Sequence, residues 1–260
     1  MKTLGAVFFL TVMVGMLALL GLVRVRPLES ENLLNPNLMI NELGKKPLNL
    51  NQPVVDLSGW QPPKTIDYDL LSQQIIGAVI RVNGSYGYED TSANKQGEDK
   101  AYKQHIKALQ ERGIPVAVYA FVTGKTELEM RKQARDFYHR ASPFKPTYYW
   151  LDVEVTNMKD MNRGIEAFRS ELAQLGAKNI GIYAQDWFLK TNKISVDKFS
   201  ALWIAAYGRN TGAWDASPET SLNYGMHQYT DKGELAGYSG NLDLNLVVNL
   251  KTYDKYFKNE

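Results

Sequence analysis

Eight short apolar runs, spread over about 200 residues and separated in the first half by amphipathic helical patterns, leave this chain few ways to fold. The runs lie at 54–56, 77–82, 114–122, 148–155, 179–183, 202–207, 225–229 and 241–244. Helix is predicted at 66–74, around Tyr102, Ile106 and Leu109 up to Gly113, from the capping box Thr126-x-x-Glu129 to about Ala141, and along Ile165, Phe168, Leu172 and Leu175 up to Gly176. Strand alternating with helix implies a parallel sheet, and eight strands in this length imply an α/β barrel of TIM type. The last three strands lack full helices between them: a short helix is predicted at 196–199, and 210–223 is turn-rich. A doubly wound open sheet competes with the barrel, but no Gly-rich phosphate fingerprint follows any strand.

The barrel accounts for residues 53–260, which leaves 1–26 and 27–52 as separate pieces. Residues 4–23 are apolar apart from Thr11 and glycine, and about 20 helical residues span roughly 30 Å, the thickness of a bilayer core. The run is longer than the apolar region of a signal peptide and ends in Val23-Arg24-Val25-Arg26-Pro27 rather than a small-x-small cleavage site. It reads as an uncleaved single-pass signal anchor, with secretion after cleavage as the alternative. Lys2 on one flank nearly balances Arg24 and Arg26 on the other, so charge alone does not orient it. Residues 27–52, rich in Asn, Leu, Glu and Pro, read as a stalk. The net charge of +2 gives no reason to expect a nucleic-acid partner. Cysteine is absent and His105, His139 and His227 have no metal-ligand spacing, so no metal site is expected.

Within the fourth run, Tyr148-Tyr149-Trp150-Leu151-Asp152-Val153-Glu154-Val155, two carboxylates interrupt what should be a buried strand. At i and i+2 they share a face, roughly 6 to 7 Å apart. At an effective dielectric near 20 their repulsion is roughly 2.5 kcal/mol, enough to split their pKa values by about two units. One can then hold a proton near neutral pH while the other is ionised, as acid catalysis at a glycosidic bond requires. A solvated strand end paired with Lys or Arg is the bland alternative. In a barrel, functional residues gather at the carboxyl ends of strands, and those ends carry Asp56, Asp152 with Glu154, Tyr183, Tyr207, Gln228 and Asp243. Four carboxylates converging on one mouth are costly to desolvate and favour a catalytic reading. Trp150 and Trp203, inside strands, are expected in the core; Trp60, Tyr119, Tyr183, Tyr207, Trp214, Gln228 and Tyr229 are the candidate substrate contacts.

Seven segments, in order, resemble the motifs of glycosyl hydrolase family 25, whose members are peptidoglycan muramidases. They are Asp56-Leu57-Ser58-Gly59-Trp60-Gln61, Ile66-Asp67-Tyr68, Trp150-Leu151-Asp152-Val153-Glu154, Gly181-Ile182-Tyr183, Leu202-Trp203-Ile204-Ala205-Ala206-Tyr207, His227-Gln228-Tyr229-Thr230 and Gly240-Asn241-Leu242-Asp243-Leu244-Asn245. The resemblance spans Val54 to about Leu250 and implies a (β/α)5(β)3 barrel that cleaves the β-1,4 bond between N-acetylmuramic acid and N-acetylglucosamine without a cofactor. It implies Glu154 as general acid and Asp56, Asp152 and Asp243 as the other catalytic carboxylates. Tyr68, Ala120, His227 and Leu242 stand where the family more often has Trp, His, Trp and Val; none of these departures removes a carboxylate. The expected partners are peptidoglycan glycan strands, the membrane through the N-terminal helix, and cell-envelope machinery, with the barrel facing the cell wall. A wall-glycan-binding domain without turnover, or a hydrolase of another N-acetylhexosamine polymer, are the alternatives.

Overall fold

The computed structural model describes residues 48–86 and 90–258. The membrane segment expected at 1–26 and all but the last residues of the stalk expected at 27–52 lie outside the described residues. Among the described residues no helix is long and apolar enough to cross a membrane. Eight strands close into a barrel in chain order: β1 (Val54–Leu57), β2 (Gly77–Asn83), β3 (Val116–Phe121), β4 (Tyr149–Asp152), β5 (Ile180–Gln185), β6 (Ala201–Ala205), β7 (Met226–Gly233) and β8 (Leu242–Val247). The helices are α1 (Tyr68–Ser72), α2 (Tyr102–Gln110), α3 (Glu127–Ala141), α4 (Met161–Gln174), α5 (Asp186–Thr191) and α6 (Leu250–Phe257). Local chemistry sets their ends. Asp67, Thr126, Asp160 and Asn249 cap α1, α3, α4 and α6 by accepting first-turn N–H bonds. Past α2 and α4 the chain turns at Gly113 and Gly176, whose φ values of 72° and 105° suit only glycine well.

Two expectations need correction. The sheet is not wholly parallel: β8 runs antiparallel to both β7 and β1. Only residues 234–241 join β7 to β8, too few for the crossover a parallel return demands, so the pair forms a hairpin. The helix expected at 196–199 is a turn closed by the Phe199 N–H on the Val196 carbonyl at 3.0 Å. The helix of this region is instead α5, directly after β5; six residues are under two turns and leave no readable period. Helix α6 was not expected either, although Tyr253, Tyr256 and Phe257 recur at helical spacing and bury their rings.

Strand alternation then builds the interior. Val55, Leu57, Leu151 and Ile182 point outward and pack with Ile106, Phe137 and Phe168 of the helices. Val54, Val79, Ala117, Trp150, Trp203, Met226 and Val247 point inward and form an apolar floor with the rings of α6. Trp150 stacks on Tyr148 at 4.8 Å and meets Trp203 and Tyr256 edge-on at 5.8 and 5.2 Å. One inward step above the floor the residue type changes: Val54 gives way to Asp56, Val79 to Arg81, Ala117 to Tyr119, Trp150 to Asp152, Gly181 to Tyr183 and Met226 to Gln228. On antiparallel β8 the order reverses, from Val247 through Asn245 up to Asp243.

The floor has one tight point. Gly181 is the register partner of Trp150, and a Cβ at Gly181 would collide with the indole ring. Gly181→Ala is therefore expected to cost about 1–3 kcal/mol, read as a lower urea midpoint at unchanged m value.

Candidate active site

The polar layer opens into a cleft of about 830 Å³ at the carboxyl ends of β1 to β7. Asp56, Asp152, Glu154 and Asp243 all line it, as do Trp60, Tyr119, Tyr183, Tyr207 and Gln228. Asp243 reaches this rim for a reason other than the one expected. It sits near the start of β8, but β8 is antiparallel, so the start lies at the mouth and Asp243 stands opposite Asp56 in the register. Glu154 lies two residues beyond the end of β4, on the continuation of the face that carries Asp152.

Asp56 is fully enclosed, and burial raises its carboxyl to about 6 against hydrogen bonds that favour the ionised form. Asn245 Nδ2 and Gln228 Nε2 donate to its Oδ2 at 2.8 and 3.0 Å. The Gln228 amide is oriented by the hydroxyls of Tyr183 and Tyr207, which donate to its Oε1 at 2.7 and 2.5 Å. Asn245 is oriented by Trp203, whose Nε1 donates to its Oδ1 at 2.7 Å. Asp243 is pushed well above the usual carboxylate range, first by burial, then by the charge of Asp56 and a hydrogen bond shared with it. Since that bond lowers Asp56 and raises Asp243, the proton of the pair belongs on Asp243.

Asp152 is also raised strongly, by burial first and then by Glu154; the Arg81 guanidinium opposes the rise. Its Oδ1 is buried without a hydrogen-bond partner among the described residues, an expensive arrangement for a polar atom aimed at a cleft. Glu154 is raised by burial, and the polar side chains of Tyr183 and Gln185 beside it oppose the rise. Two acidic pairs thus meet at one mouth, each with at least one member held as the neutral acid towards neutral pH.

The remaining candidates separate cleanly. Trp60, 57% exposed, stands on the rim, its loop held by the Gly59 N–H on Asp99 Oδ2 at 2.8 Å. Trp214 is exposed but does not line the cleft, and Tyr229 is half-buried on the outward face of β7, one residue out of phase with Gln228, with its ring near His227. Trp150 and Trp203 are buried, as expected, although the edge of Trp203 reaches the cleft. His105 is a core residue joining the Tyr68 hydroxyl to the Ser58 carbonyl, and His227 Nε2 bonds the Ala206 carbonyl.

Arg81, Asn245 and Gln185 were not singled out from sequence. Asn245 could have been, because it shares a strand face with Asp243. Arg81 is a charge inside an apolar run; it binds Asp99 at 2.9 Å and Ser92, and lies 3.5 Å from Asp90, so it ties the loop after β2 to the cleft wall.

The Asp56 shift has a stability consequence of definite sign. Its folded value of about 6 exceeds the unfolded 3.8, so between the two the folded protein holds the extra proton. Stability from this group is therefore present below pH 4 and falls by about 3 kcal/mol as pH rises to about 6. Asp56→Asn is expected to flatten the decline of the urea midpoint over that interval; an unchanged slope would refute the burial argument.

The family model of Glycosyl hydrolases family 25 matches residues 55–238. A solved glycosyl hydrolase 25 of Streptococcus pneumoniae, described as a virulence factor participating in host cell invasion, is 49% identical with a TM-score of 0.79, covering 81% of this chain and 95% of that one. The catalytic domain of an endolysin from bacteriophage P40 of Listeria monocytogenes is 26% identical with a TM-score of 0.68, covering 79% of this chain and 96% of that one. An autolytic lysozyme of Clostridium acetobutylicum is 27% identical over 150 residues, 56% of this chain; the match spans 43% of the length of that relative. The match to the family model over residues 55–238, more than half of the chain, places this chain in glycosyl hydrolase family 25.

Proposed function

We propose that the chain is a peptidoglycan muramidase that hydrolyses the β-1,4 bond between N-acetylmuramic acid and N-acetylglucosamine. The observation that carries this reading is the pair Asp152 and Glu154 in one cleft, both raised by burial, with Asp152 Oδ1 lacking a partner among the described residues. Burial leaves one proton on the pair Asp152 and Glu154. The acetamido N–H bonding to Asp152 Oδ1 favours ionised Asp152 and leaves the proton on Glu154, which gives it to the glycosidic oxygen as the bond to the anomeric carbon breaks. The acetamido oxygen of the same sugar attacks that carbon, closing a five-membered ring, while Asp152 Oδ1 accepts the acetamido N–H and supports the positive charge that develops. Water then opens the ring at the anomeric carbon, giving its proton to the Glu154 carboxylate. Asp56 and Asp243 share one proton, so they add a single negative charge beside the reacting sugar. A 2-deoxy analogue without the acetamido group is expected to react at least about 100-fold more slowly, and equal rates would rule out its participation.

The proposed setting is the outer side of a membrane. The apolar segment 4–23 supports an anchor. Leu50 packs against the floor of the barrel just ahead of β1, so the chain enters the domain at the end opposite the cleft. Protease accessibility of the barrel in intact and permeabilised cells tests this setting; protection in intact, wall-stripped cells argues against it.

A further inference from the structure

The floor of the cleft contains a device that recurs at its rim. Trp203 donates its indole N–H to Asn245 Oδ1, and the amide so fixed donates its NH2 to Asp56. Across the cleft Trp187, in the first turn of α5, donates its indole N–H to Gln185 Oε1. Gln185 ends β5 and lines the cleft with Glu154, whose charged form its side chain favours. A carboxamide has one acceptor oxygen and one donor nitrogen. With its oxygen turned to the indole, the amide points its NH2 away from the indole and towards the carboxyl group. Without the indole the amide is free to turn over and present its oxygen, which suits the protonated carboxyl instead.

We propose that Trp187 is a positioning residue for Glu154: it locks the Gln185 amide with its NH2 towards the carboxylate, as Trp203 locks Asn245 towards Asp56. The inference rests on Glu154 being the acid of the proposed reaction. Trp187 is 56% exposed, whereas Trp203 is buried, so Trp187 is not retained for core packing. The locked amide stabilises the carboxylate left behind when Glu154 gives up its proton, and it restrains the rise that burial imposes on the group. Asp152, Asp56, Asp243, Tyr183 and Tyr207 also act on Glu154 electrostatically or by hydrogen bonding, and Trp187→Phe leaves all five in place.

The test is made on the full chain in detergent with Trp187→Phe, Gln185→Leu and the double variant. Two readouts are taken: the alkaline limb of kcat/KM on peptidoglycan, and the titration of Glu154 by NMR of 13Cδ-labelled glutamate, assigned by the signal lost in Glu154→Gln. The loss of one donor to the charged form is expected to move both upward by about half to one pH unit. Gln185→Leu is expected to do the same, and the double variant to add nothing further, because both act through one bond. An unmoved Glu154 titration in Trp187→Phe overturns the proposal, as does a fall in kcat/KM that is uniform across pH. A titration that moves in a protein without turnover on peptidoglycan supports the lock and instead overturns the muramidase reading.

Discussion

Glu154→Gln is expected to lower kcat on peptidoglycan by about 10³-fold, within the range removed with a general acid, while KM changes little. The side chain sits half-buried in the cleft, and glutamine keeps its size and its ability to meet Gln185 and Tyr183, so the barrel has no reason to unfold. Because the substitution also removes a carboxyl whose charged form burial opposes, the variant should be at least as stable as the parent. Loss of turnover with an unchanged or higher Tm is therefore the signature expected. A variant that keeps more than a tenth of the parental kcat would remove Glu154 from the acid role.

Asp152→Asn is expected to separate stability from activity more sharply. Asp152 is deeply buried, its Oδ1 has no partner among the described residues, and its charged form is opposed by burial and by Glu154, Asp56 and Asp243. A neutral isostere should stabilise the fold by about 1–2 kcal/mol near neutral pH, or roughly 2–8 °C in Tm. The sign with pH follows from the raised folded value: the native protein loses stability as pH climbs and Asp152 is forced to ionise, whereas the variant does not, so the gain widens towards alkaline pH. Activity should fall about 10²- to 10³-fold, since an amide oxygen supports developing positive charge less well than a carboxylate. A variant that is both less stable and equally active would contradict the reading of the site as strained for function.

Much of this fold was legible because strands and helices obey separate periods. The apolar runs located all eight strands, and the capping box at Thr126 marks the start of α3. What escaped was set by tertiary context. The antiparallel return of β8 depends on the brevity of 234–241, and α5 is too short to show a period. The four carboxylates were visible as charges at the ends of apolar runs. Their support was not: Asn245, Gln185 and Arg81 act through partners distant in sequence, such as Trp203 for Asn245 and Asp99 for Arg81. Position along the chain does not place Trp214 and Tyr229 in the cleft either, because a ring near a strand end faces it only if its residue is in phase with the inward face.

The most direct test of the account is to digest purified peptidoglycan with the full chain, reduce the products with borohydride, and identify the new ends by mass spectrometry. Reduced N-acetylmuramic acid ends, formed by the native protein and absent with Glu154→Gln, are the predicted result. Reduced N-acetylglucosamine ends, or glycan that sediments with both proteins and yields no new ends, would contradict it.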